Sequence, residues 1–181
     1  MFSTLQKLVF ACIVLVASSD WDSDCHGCEC KWISGKKLAN CTNAGLSSVP
    51  LNLHPEVQVL ILDYNQISRL GDNVFITKLP NLQRISLRHC GIKTIHESAF
   101  NKLKILVEID LSYNNITKFG TKTFSGNARL KTLNLSYNTG LGSLEPYQFP
   151  TLPYLKSLDF SYCSLQRIDR TSFGDNLFKS T

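Results

Sequence analysis

Four closely spaced cysteines are the residues whose types and spacing most clearly point to chemistry: Cys25, Cys28, Cys30 and Cys41. Thiols at this spacing can pair as two disulfides, or they can ligate a zinc ion together with the neighbouring His26. Disulfides persist in oxidising compartments and are rare in the cytosol, so the choice depends on where the protein goes. In a secreted protein the cluster favours disulfides, and four cysteines allow three connectivities.

The remaining reactive side chains form no recognisable catalytic set. The four histidines are scattered along the chain, and none has a Ser or Cys partner in a nucleophile motif. The segment Ser34-Gly35-Lys36 lacks the preceding glycine of a phosphate-binding loop and follows no strand-like run. We therefore predict that the protein is not an enzyme and binds neither a metal nor a cofactor.

The beginning of the chain has the pattern of a secretory signal peptide, which we assign to residues 1–19. Lys7 precedes an apolar run of ten residues, 8–17, and the small residues Ser18 and Ser19 follow it. Ten apolar residues are too few to span a bilayer, which needs about 20, and no later segment is long enough. We expect a secreted, extracellular product without a membrane span, and in that compartment disulfides are favoured over zinc.

Composition sets further limits on function. Apolar residues make up 43% of the 181 residues and charged residues 18%, which is typical of a folded domain. The net charge of +5, from 19 basic and 14 acidic residues, is too small to indicate nucleic-acid binding by itself.

A repeat of 24 or 25 residues organises the chain after residue 56. The copies follow the pattern L-x-x-L-x-L-x-x-N/C-x-L with Val, Ile or Phe at some Leu positions and one extra residue after Asn138 in the fourth copy. A Phe comes ten or eleven residues after each N/C position. The N/C positions are Asn65, Cys90, Asn114, Asn138 and Cys163. The trailing aromatic residues are Phe75, Phe100, Phe124, Phe149 and Phe173. Five copies in register predict a stacked repeat structure, because one such repeat cannot bury its apolar face alone.

This pattern resembles the leucine-rich repeat family. The resemblance implies an α/β-type solenoid, a right-handed curved horseshoe segment with short parallel strands on its concave face. We expect an N-terminal cap at residues 20–56, five repeats at 57–178 and a tail at 179–181 without a C-terminal cap. Three explanations fit this end: the chain continues in a longer protein, the last repeat is covered by a partner or by self-association, or the last strand frays. We favour the first two.

The cysteine cluster and the following Leu46-Ser47-Ser48-Val49-Pro50 resemble the cysteine-rich N-terminal cap of extracellular leucine-rich repeat proteins. That resemblance implies the pairs Cys25–Cys30 and Cys28–Cys41. Cys90 and Cys163 lie three repeats apart, about 14 Å, whereas a disulfide tolerates about 7 Å between Cα atoms. We expect both to be buried free thiols.

Outward-facing strand positions should form rows across the concave face, one residue from each repeat. One row consists of Tyr64, His89, Tyr113, Tyr137 and Tyr162, an aromatic strip suited either to binding or only to stacking of the rings. The candidate ligand-binding residues are these five together with Asp63, Arg84, Arg88, Asp110 and Asp159. The charged residues have two interpretations: they contact a ligand, or they only form ion pairs between neighbouring repeats, Arg84 with Glu108 and Arg88 with Asp63. Asp110 and Asp159 lie two repeats apart, about 10 Å, which is too far for an inverting carboxylate pair.

Three sequons predict N-glycosylation at Asn40, Asn115 and Asn134. Asn115 lies just past a strand, whereas a glycan on Asn134 would block the middle of the concave face.

The leading hypothesis is a secreted recognition module that binds an extracellular protein through its concave sheet, in immune or cell-surface recognition or adhesion. The alternatives are a structural or self-associating matrix protein, or the N-terminal part of a longer leucine-rich repeat receptor.

Overall fold

The structure is a computed structural model that describes residue 25 and residues 27–174. The predicted signal peptide, His26 and the last seven residues lie outside the described part. Among the described residues, no helix is long and apolar enough to cross a membrane.

A parallel sheet of short strands runs the length of the solenoid. Its strands are β1 (Glu29–Ile33), β2 (Lys36–Asn40), β3 (Val59–Ile61), β5 (Arg84–Ser86), β7 (Glu108–Asp110), β8 (Thr132–Asn134) and β10 (Ser157–Asp159). They are ordered β1-β2-β3-β5-β7-β8-β10, with β1 antiparallel to β2 and every later pair parallel. The cap is therefore continuous with the repeats, because β2 pairs directly with β3.

Outside the strands, each repeat consists mainly of tight turns and loops, and the described residues contain no α-helix. Two short parallel pairs lie outside the main sheet: β4 (Arg69–Leu70) with β6 (Thr94–Ile95), and β9 (Ser143–Leu144) with β11 (Arg167–Ile168).

The trailing Phe residues form a continuous column within the core. Successive ring centroids lie 5.4, 5.9, 6.4 and 5.6 Å apart from Phe75 to Phe173. Rings at the end of the strands are closer, at 4.1–4.7 Å. The turns are therefore spread more widely at the Phe column than at the sheet, which curves the solenoid.

Buried asparagines at the ninth repeat position connect successive turns. The Asn114 amide donates to the carbonyls of Leu87 at 2.8 Å and Leu111 at 2.9 Å. Its oxygen accepts the backbone N–H groups of Cys90 and Ile92, both at 3.0 Å. These bonds satisfy backbone groups where the chain leaves the strand, because the loop offers them no ladder partner.

The two cysteines at the ninth position replace the amide with a thiol. The Cys90 Sγ lies 3.1 Å from the Leu62 carbonyl, and the Cys163 Sγ lies 3.2 Å from the Leu135 carbonyl. Neither is in a disulfide, as predicted. Cys90 is buried, but the prediction was wrong for Cys163, which is half-buried.

The cap contains the two predicted disulfides, Cys25–Cys30 and Cys28–Cys41, with Cα–Cα distances of 6.0 and 4.3 Å. All four thiols of the cluster are used in these bonds, so the structure favours disulfides over the zinc alternative. The domain boundaries at residues 20–56 and 57–178 stay predictions.

Candidate binding surface

The strand register brings the outward-facing residues of successive repeats into rows. Val59, Arg84, Glu108, Thr132 and Ser157 are aligned in one row. Ile61, Ser86, Asp110, Asn134 and Asp159 are aligned in a second row. Since the inward residues between them are the core leucines and isoleucines, both rows face the concave side.

Charged residues of the second and third repeats interact with one another. The Arg84 Nε lies 3.2 Å from the Glu108 carboxylate, as predicted. The Arg88 Nε lies 4.0 Å from the Asp110 carboxylate, and its guanidinium lies 5.8 Å from the Tyr113 ring centroid. Much of the side-chain charge on this part of the concave face is therefore already paired within the protein.

The predicted ion pair between Arg88 and Asp63 was wrong. Asp63 Oδ1 accepts instead the Ser86 hydroxyl at 2.6 Å and the Arg88 backbone N–H at 3.0 Å. The guanidinium extends the other way, toward the next repeat, where Asp110 and Tyr113 offer both a charge and a ring.

Short side chains at the ends of the later strands bond to their own backbone. Asp110, Asn134 and Asp159 each accept the N–H of the residue two positions on, at 2.9, 2.9 and 2.7 Å. The Asn134 amide also lies 3.4 Å from the Asp110 carboxylate. Asn134 lies between Asp110 and Asp159 in the row, so the two carboxylates are not adjacent.

Five rings stack in one continuous column, which we call the aromatic column: Tyr64, His89, Tyr113, Tyr137 and Tyr162. Centroids are 4.7, 4.3, 4.1 and 4.3 Å apart, with interplanar angles of 9–19°. The faces of the inner rings are therefore covered by their neighbours, and their edges and hydroxyl groups remain for solvent. Tyr64 and Tyr162, at the two ends, are 53% and 69% exposed.

Every residue of the aromatic column has a left-handed backbone conformation, with φ between 52° and 59°. This conformation costs a non-glycine residue about 1–2 kcal/mol. Each ring pair returns about 0.5–1.5 kcal/mol beyond its buried area. Sequence analysis identified the column but not this conformation, because aromatic side chains give no signal for a positive φ.

The hydroxyl groups of the column act on one another. The Tyr113 hydroxyl, hydrogen-bonded to that of Tyr137, raises the pKa of Tyr137 to about 12, and partial burial and Tyr162 act in the same direction. The tyrosines of the column present hydroxyl groups that can both donate and accept hydrogen bonds.

The three predicted glycosylation sites differ in their surroundings. Asn115 is exposed at the edge that follows the strands. Asn134 is half-buried in the concave sheet, and the Asn40 oxygen accepts the Thr42 hydroxyl at 2.6 Å. Glycosylation at all three stays a prediction.

Comparison with known proteins identifies the repeats. The family model described as leucine rich repeat matches residues 80–139 and 128–176. Leucine-rich repeat-containing protein 3B of Danio rerio is 34% identical over 131 residues, covering 70% of this chain and 48% of that protein. Reticulon-4 receptor-like 2 of Rattus norvegicus is 35% identical over 116 residues, covering 64% of this chain and 27% of that protein.

A solved structure shows a similar fold. The crystal structure of human 5T4 (Wnt-activated inhibitory factor 1, trophoblast glycoprotein) superposes with a TM-score of 0.56 and 28% identity, covering 62% of this chain and 42% of that one. The chain spans about half the length or less of these relatives. The repeats match the family model, buried asparagines connect successive turns, and disulfides stabilise the cap. This chain therefore belongs to the leucine-rich repeat family.

Proposed function

We propose that this chain is an extracellular recognition module that binds another protein through its concave sheet and the aromatic column. The observation that carries the proposal is the column itself, five rings stacked at 4.1–4.7 Å along one border of a polar sheet. The rings are already ordered by stacking in the free protein, so they lose little conformational entropy when a partner binds.

The chemistry of this surface suits a protein partner. Ring edges supply apolar contact, and the tyrosine hydroxyls can bond to the amides and carbonyls of a partner backbone. The adjacent rows add carboxylate, amide and hydroxyl groups from Asp110, Asn134 and Asp159. The cap disulfides and the receptor-type relatives support an extracellular or cell-surface location. None of the three proteins compared above has a name that denotes an enzyme, which supports a binding function.

The test begins with a partner screen. The chain, secreted from eukaryotic cells and multimerised, would be applied to an array of extracellular protein domains. Affinity for the best partner would then be measured for wild type, Tyr113→Ala/Tyr137→Ala and Tyr113→Phe/Tyr137→Phe. We expect the Ala variant to bind at least about tenfold more weakly, because it removes the centre of the contact surface.

The Phe variant separates stacking from hydrogen bonding, because it retains the rings and removes only the hydroxyls. The matched control is Tyr147→Ala/Tyr154→Ala, which removes two rings that are 66% and 59% exposed and lie outside the column. Equal affinity of wild type and the Ala variant, with both secreted normally, would exclude the column as the binding site.

Self-association is the second candidate function. In the fifth repeat, Leu158, Phe160 and Leu165 are half-buried, whereas the corresponding residues of the fourth repeat are at most 1% exposed. A second copy packed on this turn would complete their burial. A concentration-dependent mass in light scattering would support this candidate, and a constant monomer mass would exclude it.

A further inference from the structure

One edge of the solenoid carries basic residues and no acidic ones. It consists of the segments that enter the strands of the second to fifth repeats, residues 76–83, 101–107, 125–131 and 150–156. These segments contain six basic residues and neither Asp nor Glu, and we call the six the basic edge: Lys78, Lys102, Lys104, Arg129, Lys131 and Lys156. The opposite edge is mixed, because Asp72, Glu97, Glu145 and Asp169 accompany its basic residues.

The charges of the basic edge are exposed and unneutralised. All six side chains are exposed, and among the described residues none lies within 4.0 Å of a carboxylate. By contrast, the basic residues Arg84 and Arg88 of the concave face both have acidic partners. The basic edge is thus distinct from the surface proposed above for a protein partner.

Backbone contacts hold the four segments close together. The Lys156 N–H donates to the Lys131 carbonyl at 2.8 Å, which makes these two residues direct neighbours on adjacent turns. The Asn127 amide donates to the Phe100 and Leu103 carbonyls at 2.9 and 3.1 Å. A Cβ built on Gly126 would lie 1.3 Å from the Asn101 carbonyl oxygen, so these two turns touch at their backbones.

This spacing makes the charges act together. Adjacent turns are about 4.8 Å apart at the sheet, which is less than the Debye length of about 8 Å at physiological ionic strength. Each positive charge therefore adds to the potential at its neighbour, and no folding contact offsets the repulsion. A row of like charges of this kind attracts a chain of opposite charge and gains free energy by releasing that chain's counterions.

An open cavity lies at the cap end of the same edge. It has a volume of about 290 Å³ and is lined by Trp32, Lys37, Glu56, Gln58 and Asn81. Trp32 is 63% exposed, and the Lys37 Nζ lies 5.9 Å from its ring centroid. Lys37 is ion-paired with Glu56, so the acid-free surface ends at this cavity. The Gln83 N–H donates to the Gln58 carbonyl at 2.8 Å, so the cavity is continuous with the first turn of the edge.

We propose that the basic edge binds a sulfated glycosaminoglycan, with the polysaccharide lying across the four segments. The six cations occupy different positions within their segments, so they form a patch across four adjacent turns, and a linear polymer with repeated sulfate and carboxylate groups can contact several of them at once. Lys and Arg are the usual ligands of such groups, through charge-assisted hydrogen bonds. The edge offers no series of aromatic platforms, as a single-stranded nucleic acid would require, because its residues are mainly aliphatic and basic. The cap disulfides are consistent with an extracellular ligand.

The test uses a size-defined heparin octasaccharide and the intact secreted chain at about 0.15 M NaCl. Two variants lie on the edge, Lys131→Glu/Lys156→Glu and Lys102→Glu/Lys104→Glu. The control is Lys118→Glu/Lys122→Glu, which makes the same change in net charge at two exposed lysines of the opposite edge. We expect each edge variant to lose about tenfold or more in affinity, the control to lose less than about threefold, and wild-type affinity to fall steeply with salt. Matching thermal midpoints would show that all variants are folded.

Three outcomes would overturn the proposal. These are no binding of the octasaccharide by wild type, equal losses in the edge and control variants, and tighter binding of a single-stranded oligonucleotide than of the octasaccharide. The first outcome would show that the edge is only a solvated surface. The second would show that binding depends on the net charge of the protein and not on this edge. The third would assign the edge to nucleic acid.

Discussion

Replacing Asn114 with Ala tests whether the buried amides hold the repeats together. The Asn114 side chain is 3% exposed, and it makes four hydrogen bonds to backbone groups of its own turn and of the preceding turn. Each such bond contributes about 1 kcal/mol, and the groups left behind have no water to replace it. We therefore expect Asn114→Ala to lower the free energy of unfolding by about 4 kcal/mol, a large part of the 5–15 kcal/mol that stabilises a typical domain.

The structure also predicts that Asn138 contributes less to stability than Asn114. The Asn138 amide donates to Leu111 and Leu135 at 3.0 and 2.8 Å, and its oxygen accepts one backbone N–H, that of Ile116, at 3.0 Å. Asn138→Ala should therefore cost about 3 kcal/mol, less than Asn114→Ala. The control is Asn115→Ala, at an exposed position next in sequence, which we expect to change stability by less than about 0.5 kcal/mol.

Urea unfolding of the enzymatically deglycosylated protein, followed by circular dichroism, measures these differences. With a slope of about 2 kcal/mol per molar urea, a loss of 4 kcal/mol lowers the midpoint by about 2 M. A loss below about 1 kcal/mol for Asn114→Ala, or one no larger than that of Asn115→Ala, would refute the reasoning. The backbone groups would then be satisfied by water or by a rearranged loop.

Three further predictions concern close packing and the free thiols. Gly126→Ala should prevent secretion of folded protein, since its Cβ would lie 1.3 Å from the Asn101 carbonyl oxygen; Gly142→Ala, where a Cβ meets nothing within 4 Å, is the control, and normal secretion of both would contradict the prediction. Iodoacetamide at about pH 8 should label Cys163 before Cys90, because Cys90 is 1% exposed and burial raises the pKa of its thiol to about 11. Since that pKa lies above the ordinary pKa of 9.0 for a cysteine thiol, the Cys90 contribution to stability is complete below pH 9 and is lost as the pH rises toward 11. Wild type should therefore lose more stability than Cys90→Ala over this range. Equal labelling rates, or parallel pH profiles, would show that the site is open to water.

The fold was predictable because its information is local and repeated. The spacing of the inward leucines determines which strand residues are buried, and the repeat length of 24 or 25 residues determines which of them become neighbours. The rows across the concave face, the Phe column and the aromatic column follow from that register. The disulfide pairs were predictable only through the resemblance of the cap to a known type.

The surface was less predictable, because side chains there choose among several partners. Arg88 lies beside Asp63 in the sequence-based rows, but Asp63 is already occupied by the Ser86 hydroxyl and a backbone N–H, and the guanidinium turns to Asp110. The basic edge needed the structure for a different reason. Its lysines come from segments about 25 residues apart, and only the contacts between turns show that their charges lie side by side.

The sequence by itself determined the repeat, the register and the residues of the core, since an apolar side chain at a strand position has only one way to leave water. The tertiary structure decided the left-handed backbone of the aromatic column, the partner of Arg88, the half-exposure of Cys163 and the continuity of the basic edge. These features depend on which groups of neighbouring turns come within a few ångströms of each other. The distances between those groups result from the stacking of whole turns, and the sequence of a single turn does not determine them.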